Sequence, residues 1–180
     1  MPRFDDTRHD RACAAVDYLS RPAERLVVEG YRSSLSGCAE RDPKAWAAAW
    51  MLYQNELGEI DGRIAFDGLV GLIGTLGRCA TCPLRFFRRD ISHLCRDEGL
   101  LLALVAAAQH GDEQTGQIAA EALSCPAKCG ELAMAAAEYG FRLRMVGRTL
   151  LPISASFTAS IADKKAQPAR DDRPVAATLH

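Results

Sequence analysis

The residues with the clearest chemical potential are cysteines gathered in one stretch of the chain. Between Cys79 and Cys129 the sequence holds five of its seven cysteines, namely Cys79, Cys82, Cys95, Cys125 and Cys129. Cysteine thiolates are the form that binds soft metal ions and the form that reacts with oxidants. The stretch therefore indicates either a metal site or a thiol redox site.

The spacing of these cysteines favours a metal site with four sulfur ligands. Cys79 and Cys82 form a C-x-x-C motif, which can present two thiolates to one ion, and Pro83 should hold the motif in a turn. Cys95 and Cys129 supply two further ligands, with Cys125 as the competitor for the last position. Zinc and an iron–sulfur cluster both accept four thiolates, so the spacing leaves the cofactor undecided between them.

Three of the five cysteines are predicted to lie at the starts of helices. If Ser92 caps a helix, Cys95 lies in its first turn, while Cys125 caps the following helical segment with Cys129 one turn inside it. Free N–H groups and the helix dipole at these positions favour thiolate over thiol. We therefore expect ionisable, ligand-like thiols there. The two remaining cysteines, at positions 13 and 38, are expected to be structural.

Other titratable residues in this stretch are weaker candidates. His93 and His110 could each replace a thiolate, but His93 is expected to be exposed and His110 to lie at the far end of the same helix. Asp97 and Glu98 fall in a first helical turn, where negative charge is favourable in any case. Adjacent helical residues point about 100° apart, which argues against a paired acid–base role. The sequence also lacks the usual hydrolase, metalloprotease, phosphate-loop and dinucleotide motifs, so it leans against an enzyme.

The composition narrows the class of protein. The chain has 180 residues, which suits one domain, and Ala and Leu dominate its apolar residues, which favours helices over strands. A net charge of −1 gives no electrostatic indication of nucleic-acid or membrane binding. The start of the chain lacks the apolar core of a signal peptide, and the longest apolar run is too short to span a bilayer. We therefore expect a cytoplasmic protein whose thiols are kept reduced.

Apolar periodicity and capping residues predict an all-α fold. Leu100 to Ala108 form an apolar run without a polar face, which is typical of a buried helix. The fold class is therefore a single-domain bundle of five to six helices around a buried central helix at about 92–109. The predicted division is a partly ordered N-terminal segment at 1–19, a helical domain at 20–153 and a mostly disordered tail at 154–180.

Two further patterns carry structural predictions. Glycines recur every third residue from Gly68 to Gly77, and each interior glycine costs a helix about 1 kcal/mol relative to alanine. Close packing against another helix would offset that cost. The segment Arg85 to Arg89 is basic and contains Phe86 and Phe87, which could contact a nucleic acid. Because the segment is short and isolated, we expect a loop with both rings packed inward.

These observations lead to one functional hypothesis and two alternatives. The leading hypothesis is a small cytoplasmic metal-binding protein that acts as a regulator or accessory factor through a protein partner. The first alternative is a thiol redox switch using the C-x-x-C pair. The second is a metal-free helical interaction module in which the cysteines serve only packing.

Overall fold

The computed structural model describes residues 18–80, 83–89, 91–163 and 175–177. Residues 18–20 are helical. The elements that follow, in chain order, are α1 (Pro22–Glu40), α2 (Pro43–Leu57), α3 (Glu59–Cys79), β1 (Leu84–Phe86), α4 (Arg96–His110), α5 (Glu113–Leu123), a 3-10 turn (Pro126–Lys128), α6 (Cys129–Met145), α7 (Ala155–Ala162) and β2 (Val175–Ala177). The prediction of an all-α fold is confirmed, since the described strands are limited to one short two-stranded sheet.

Helix α4 lies at the centre of the fold, as its apolar sequence predicts. Its residues from Asp97 to Ala107 are all buried. Helices α5, α6 and α7 pack against α4, while α3 lies along α6 and α2 bridges α1 and α3. A helix that is apolar on all sides needs neighbours on all sides, and this arrangement provides them.

Capping side chains set where several of these helices begin. The Asp42 side chain accepts a hydrogen bond from the backbone N–H of Lys44, and Pro43 occupies the first position of α2. Asp112 caps α5 in the same way by accepting from the backbone N–H of Thr115. Both starts agree with the sequence prediction, because each side-chain acceptor satisfies an N–H that the helix leaves free.

Helix α4 begins later than the sequence prediction places it. Its N-cap is Cys95 rather than Ser92, so Cys95 is not inside the first turn. The Glu98 carboxylate accepts a hydrogen bond from the backbone N–H of Cys95 at 2.9 Å, and the Cys95 side chain accepts from the N–H three residues on. This reciprocal capping box selects Cys95 as the start of the helix.

The tail at 154–180, predicted to be mostly disordered, contains two ordered segments. Ser154 caps α7, and α7 packs on α4 and α5 with Thr158 buried. Val175–Ala177 pairs antiparallel with Leu84–Phe86, so part of the predicted loop at 85–89 is a strand. These segments are too short to show a clear apolar period, and their order comes from tertiary contacts. Residues 1–17, 164–174 and 178–180 lie outside the described residues.

In the glycine repeat of α3, Gly68 is packed closely against another helix, whereas Gly71 is not. A Cβ atom at Gly68 would lie 2.9 Å from Cδ of Arg142 and 3.0 Å from Cδ2 of Tyr139, both on α6. Gly71 has no neighbouring atom within 4 Å of the same point. A step of three residues turns a helix by about 300°, so successive glycines move away from α6 by about 60° each.

We predict opposite stability changes for alanine at these two glycines. Gly71→Ala should raise the free energy of unfolding by about 1 kcal/mol, because alanine favours the helix and meets no neighbour. Gly68→Ala should lower it by about 1–3 kcal/mol, because the added methyl overpacks the contact with Tyr139. Urea denaturation of both variants against the wild type measures the difference, and a stabilising Gly68→Ala would contradict the close approach of α3 and α6.

Candidate functional site

Two of the cysteine segments meet where α3 ends and the 3-10 turn begins. The backbone N–H of Cys125 donates a hydrogen bond to the carbonyl oxygen of Cys79 at 3.1 Å. Cys129, the first residue of α6, donates through its thiol to the carbonyl oxygen of Cys125 at 3.4 Å. We call the group formed by Cys79, Cys125 and Cys129 the thiol junction. The chain places Cys79 and Cys125 far apart in sequence, so this contact is a product of the fold.

The three thiols of the junction differ in their access to solvent. Cys79 is buried, whereas Cys125 and Cys129 are half-buried. Ser124 lies beside them, and its hydroxyl is within hydrogen-bonding distance of both the Ala120 carbonyl oxygen, at 2.8 Å, and the Cys129 sulfur, at 3.5 Å. The junction is thus a partly open site at the protein surface.

Charged side chains surround the junction. Arg78 and Glu131 form an ion pair at 2.9 Å, and Nζ of Lys128 donates to the Arg78 carbonyl oxygen at 2.8 Å. Burial raises the pKa of the Cys79 thiol, and the Glu131 carboxylate raises it further, while Lys128 and Arg78 act in the opposite direction. Without another cation, Cys79 is therefore held as a thiol rather than a thiolate.

Cys95 makes its side-chain hydrogen bond in a different part of the fold. Its thiol donates to the carbonyl oxygen of Arg85 in β1 at 3.2 Å. Burial raises the pKa of this thiol far above its ordinary value, and the nearby carboxylate of Glu98 raises it further. At Cys95 the expectation that the start of a helix favours the thiolate is wrong. Loss of hydration raises the pKa of this thiol more than the backbone N–H groups lower it.

The structure thus brings together part of the predicted ligand set. Cys79, Cys125 and Cys129 share the thiol junction, Cys95 makes its hydrogen bond to β1, and Cys82 lies outside the described residues. Within the described part of the chain, no group of three or more His, Cys, Asp or Glu side chains is arranged to hold a metal ion. Metal binding therefore stays a prediction, which requires Cys82 and also a closer approach of the Cys79, Cys125 and Cys129 sulfurs than the structure has.

The remaining candidates have structural contacts of their own. His93 is exposed, as expected, and its carbonyl oxygen accepts a hydrogen bond from Arg32. The His110 ring is hydrogen-bonded to the carbonyl oxygen of Leu150 at 2.8 Å. Cys38 is half-buried and packs against the core, and Phe86 and Phe87 are buried as predicted. Cys13 lies outside the described residues.

Glu98 takes part in a buried ion pair that the sequence did not reveal. Its two carboxylate oxygens accept hydrogen bonds from Arg32 of α1 at 2.8 and 3.0 Å, and both side chains are fully buried. The same oxygens accept from the backbone N–H groups of Phe87 and Cys95. The partners lie 66 residues apart, so no local signal joins them.

We predict that Glu98→Ala is strongly destabilising. It would leave the buried Arg32 guanidinium with Glu29 as its remaining carboxylate partner and would remove the acceptor of two backbone N–H groups. Breaking such a buried pair typically costs about 3–5 kcal/mol. The matched control is Asp67→Ala, which breaks an exposed pair with Arg63 and should cost less than about 1 kcal/mol. Denaturation curves of the two variants test the contrast, and equal losses would contradict the role of the buried pair.

The raised pKa of Cys95 predicts a dependence of stability on alkaline pH. The folded thiol keeps its proton while the unfolded thiol loses it near pH ~8.5, so its contribution to stability declines as the pH rises above that value. Cys95→Ser retains a hydroxyl for the hydrogen bonds but does not titrate in this range. In the presence of chelator and reductant, the free energy of unfolding should fall more slowly with pH for the variant than for the wild type. Above pH ~8.5 the difference should be up to about 1.4 kcal/mol per pH unit. If the urea midpoints of the wild type and the variant changed by the same amount from neutral to alkaline pH, this prediction would be overturned.

Comparisons with known proteins add no family assignment. No protein-family model, curated protein or solved structure matches this chain. No helix in the described segments has the length and apolar character needed to cross a membrane. The chemistry of the junction is therefore argued from its own residues.

Proposed function

We propose that this chain is a small metal-binding protein whose thiol junction, completed by Cys82, holds a thiophilic metal ion or an iron–sulfur cluster. The observation that carries the proposal is the hydrogen bond from the Cys125 N–H to the Cys79 carbonyl oxygen. That bond joins the C-x-x-C segment, which contains Cys79 and Cys82, to the segment containing Cys125 and Cys129. Four sulfur donors on two neighbouring segments suit zinc or a cluster.

The charges around the junction are consistent with a site of several thiolates. Four thiolates around Zn²⁺ carry a net negative charge, and the side chains of Arg78 and Lys128 lie beside the site to offset it. A bound cation would itself deprotonate the thiols, reversing the effect of burial on Cys79. Cys95 is left out of the proposed ligand set because its thiol is bonded to Arg85.

The burial of Cys79 and its raised pKa make a thiol redox switch a less suitable function for this site. The reactive species in disulfide exchange is the thiolate, and burial raises the pKa of Cys79. A thiol that is both buried and protonated reacts slowly with an oxidant near neutral pH. A metal ion needs no such reactivity, because coordination supplies the free energy for losing the proton.

The place of the junction in the fold supports a regulatory or accessory role. It lies at one end of both α3 and α6, two helices that pack along each other. Metal binding would therefore tie the end of α3 to the start of α6 and stabilise their pairing. In a cytoplasmic protein of this kind, a change in metal supply would change how well ordered this end of the two helices is. A protein partner would recognise that difference.

We predict that four single cysteine variants share one phenotype. Cys79→Ser, Cys82→Ser, Cys125→Ser and Cys129→Ser should each lose most of the bound metal, because removing one ligand removes most of the binding free energy. Cys38→Ser and Cys95→Ser are the matched controls and should retain it. Elemental analysis of protein purified without oxygen measures metal per chain, and chelator should lower the melting temperature of the wild type and these controls.

The metal analysis also separates the alternatives. Zinc at one ion per chain indicates a closed tetrahedral site, whereas iron with sulfide indicates a cluster. A folded, metal-free wild type whose melting is unaffected by chelator would refute the proposal and leave the metal-free interaction module. A disulfide between Cys79 and Cys82 after mild peroxide, without bound metal, would favour the redox switch.

A further inference from the structure

Helix α6 carries an exposed apolar stripe that the thiol junction does not explain. Met134, Phe141 and Met145 are 76%, 59% and 61% exposed. Gly130 and Ala137 lie on the same side and are also exposed. Large apolar side chains grouped on one exposed surface mark an interaction site more often than single ones do.

The five residues of this stripe form one continuous seam. At about 100° per residue their directions fall within about 80° of each other, and the seam runs for about 22 Å along the helix axis. Their spacing of four, three, four and four residues resembles the alternation of apolar positions in a pair of packed helices. We call these residues, Gly130, Met134, Ala137, Phe141 and Met145, the α6 seam.

A recess lies beside the seam and gives it room to accept side chains. The recess, between α5 and α6, has a volume of about 530 Å³. Alanine and glycine dominate its walls, including Ala107, Gly116, Ala120 and Ala133. Small residues let a second helix approach closely, and the space beside them can take the ends of long side chains.

We propose that the α6 seam is the interface between two copies of this chain, with the two α6 helices antiparallel. A register centred between residues 137 and 138 places Gly130 of each copy opposite Met145 of the other. The same register places Met134 opposite Phe141 and brings the two Ala137 residues together at the two-fold axis. A two-fold interface must be self-complementary, and this seam pairs its smallest residue with a large one.

The charges beside the seam favour the antiparallel direction. Glu131 and Arg142 flank the seam on the same side, since they lie within about 20° of each other around the helix. Antiparallel packing brings Glu131 of each copy near Arg142 of the second copy, twice in the dimer. It also brings the two Glu138 residues near each other once, at the two-fold axis, where each is already paired with Arg142 of its own chain. Parallel packing would place the flanks that carry Glu131 and Arg142 on opposite sides of the interface, so that neither pair would form. In the single chain Glu131 pairs with Arg78 and Arg142 with Glu138, and an exposed pair of this kind can share a further partner.

The test is the mass of the intact protein in solution. In sedimentation equilibrium the wild type should pass from monomer to dimer as its concentration rises. Met134→Glu should weaken the dimer by about tenfold or more, because each interface would then bury two unpaired carboxylates. Met51→Glu is the matched control, since Met51 is 50% exposed on α2, and it should leave the dimer unchanged. A monomeric wild type up to about 1 mM, or equal weakening by both variants, would overturn the proposal.

A mixing experiment tests the direction of packing. Glu131→Lys and Arg142→Glu should each dimerise at least about tenfold more weakly alone, because each places like charges across the antiparallel seam. An equimolar mixture should restore the wild-type dimer, because both charge pairs are then complementary. Dimers unaffected by either single change, or a mixture no stronger than its components, would refute the antiparallel arrangement. All measurements are made with and without chelator, so that loss of metal and loss of the dimer are observed separately.

Discussion

The buried ion pair between Arg32 and Glu98 is the interaction on which the centre of this structure depends. The guanidinium donates five hydrogen bonds, to both Glu98 oxygens, to Glu29 and to the carbonyl oxygens of Ile91 and His93. The Glu98 carboxylate accepts four, two of them from Arg32 and two from backbone N–H groups. Every donor of the arginine and every lone-pair position of the carboxylate is thus used. A buried pair of this kind adds little net stability compared with an apolar pair, but it admits one arrangement of its partners.

That arrangement positions the irregular segment between β1 and α4. Arg32 and Glu98 together hold the backbone of Phe87, Ile91, His93 and Cys95, which otherwise lacks regular secondary structure. The Asp97 carboxylate also accepts a hydrogen bond from the backbone N–H of Arg85 in β1 at 2.8 Å. The start of the central helix is therefore fixed by two buried carboxylates. Cys95 takes its place as a consequence, with its thiol directed to β1 instead of to the thiol junction.

The sequence predicts those features of the fold that depend on local patterns. The apolar run from Leu100 to Ala108 predicts the buried helix, and Asp42 and Asp112 predict two helix starts, because capping is a contact between near neighbours. The pairing of Arg32 with Glu98 and the contact of Cys125 with Cys79 join residues far apart in the chain, and no spacing rule brings them together. The five-cysteine ligand set shows the same limit. Spacing groups Cys95 with the other four, whereas the Arg32–Glu98 pair places it beside Arg85.

The two proposed sites share one short connection, the segment from Ser124 to Lys128 that joins α5 to α6. This segment contains Cys125, and α6 begins with Cys129 directly after it. Pro126 and Cys129 also line the recess beside the α6 seam. A metal ion bound to Cys125 and Cys129 would fix the conformation of this connection, and with it the width of the recess at that end. Because the start of α6 is also the start of the seam, a metal-dependent change in this connection would act directly on one end of the proposed dimer interface.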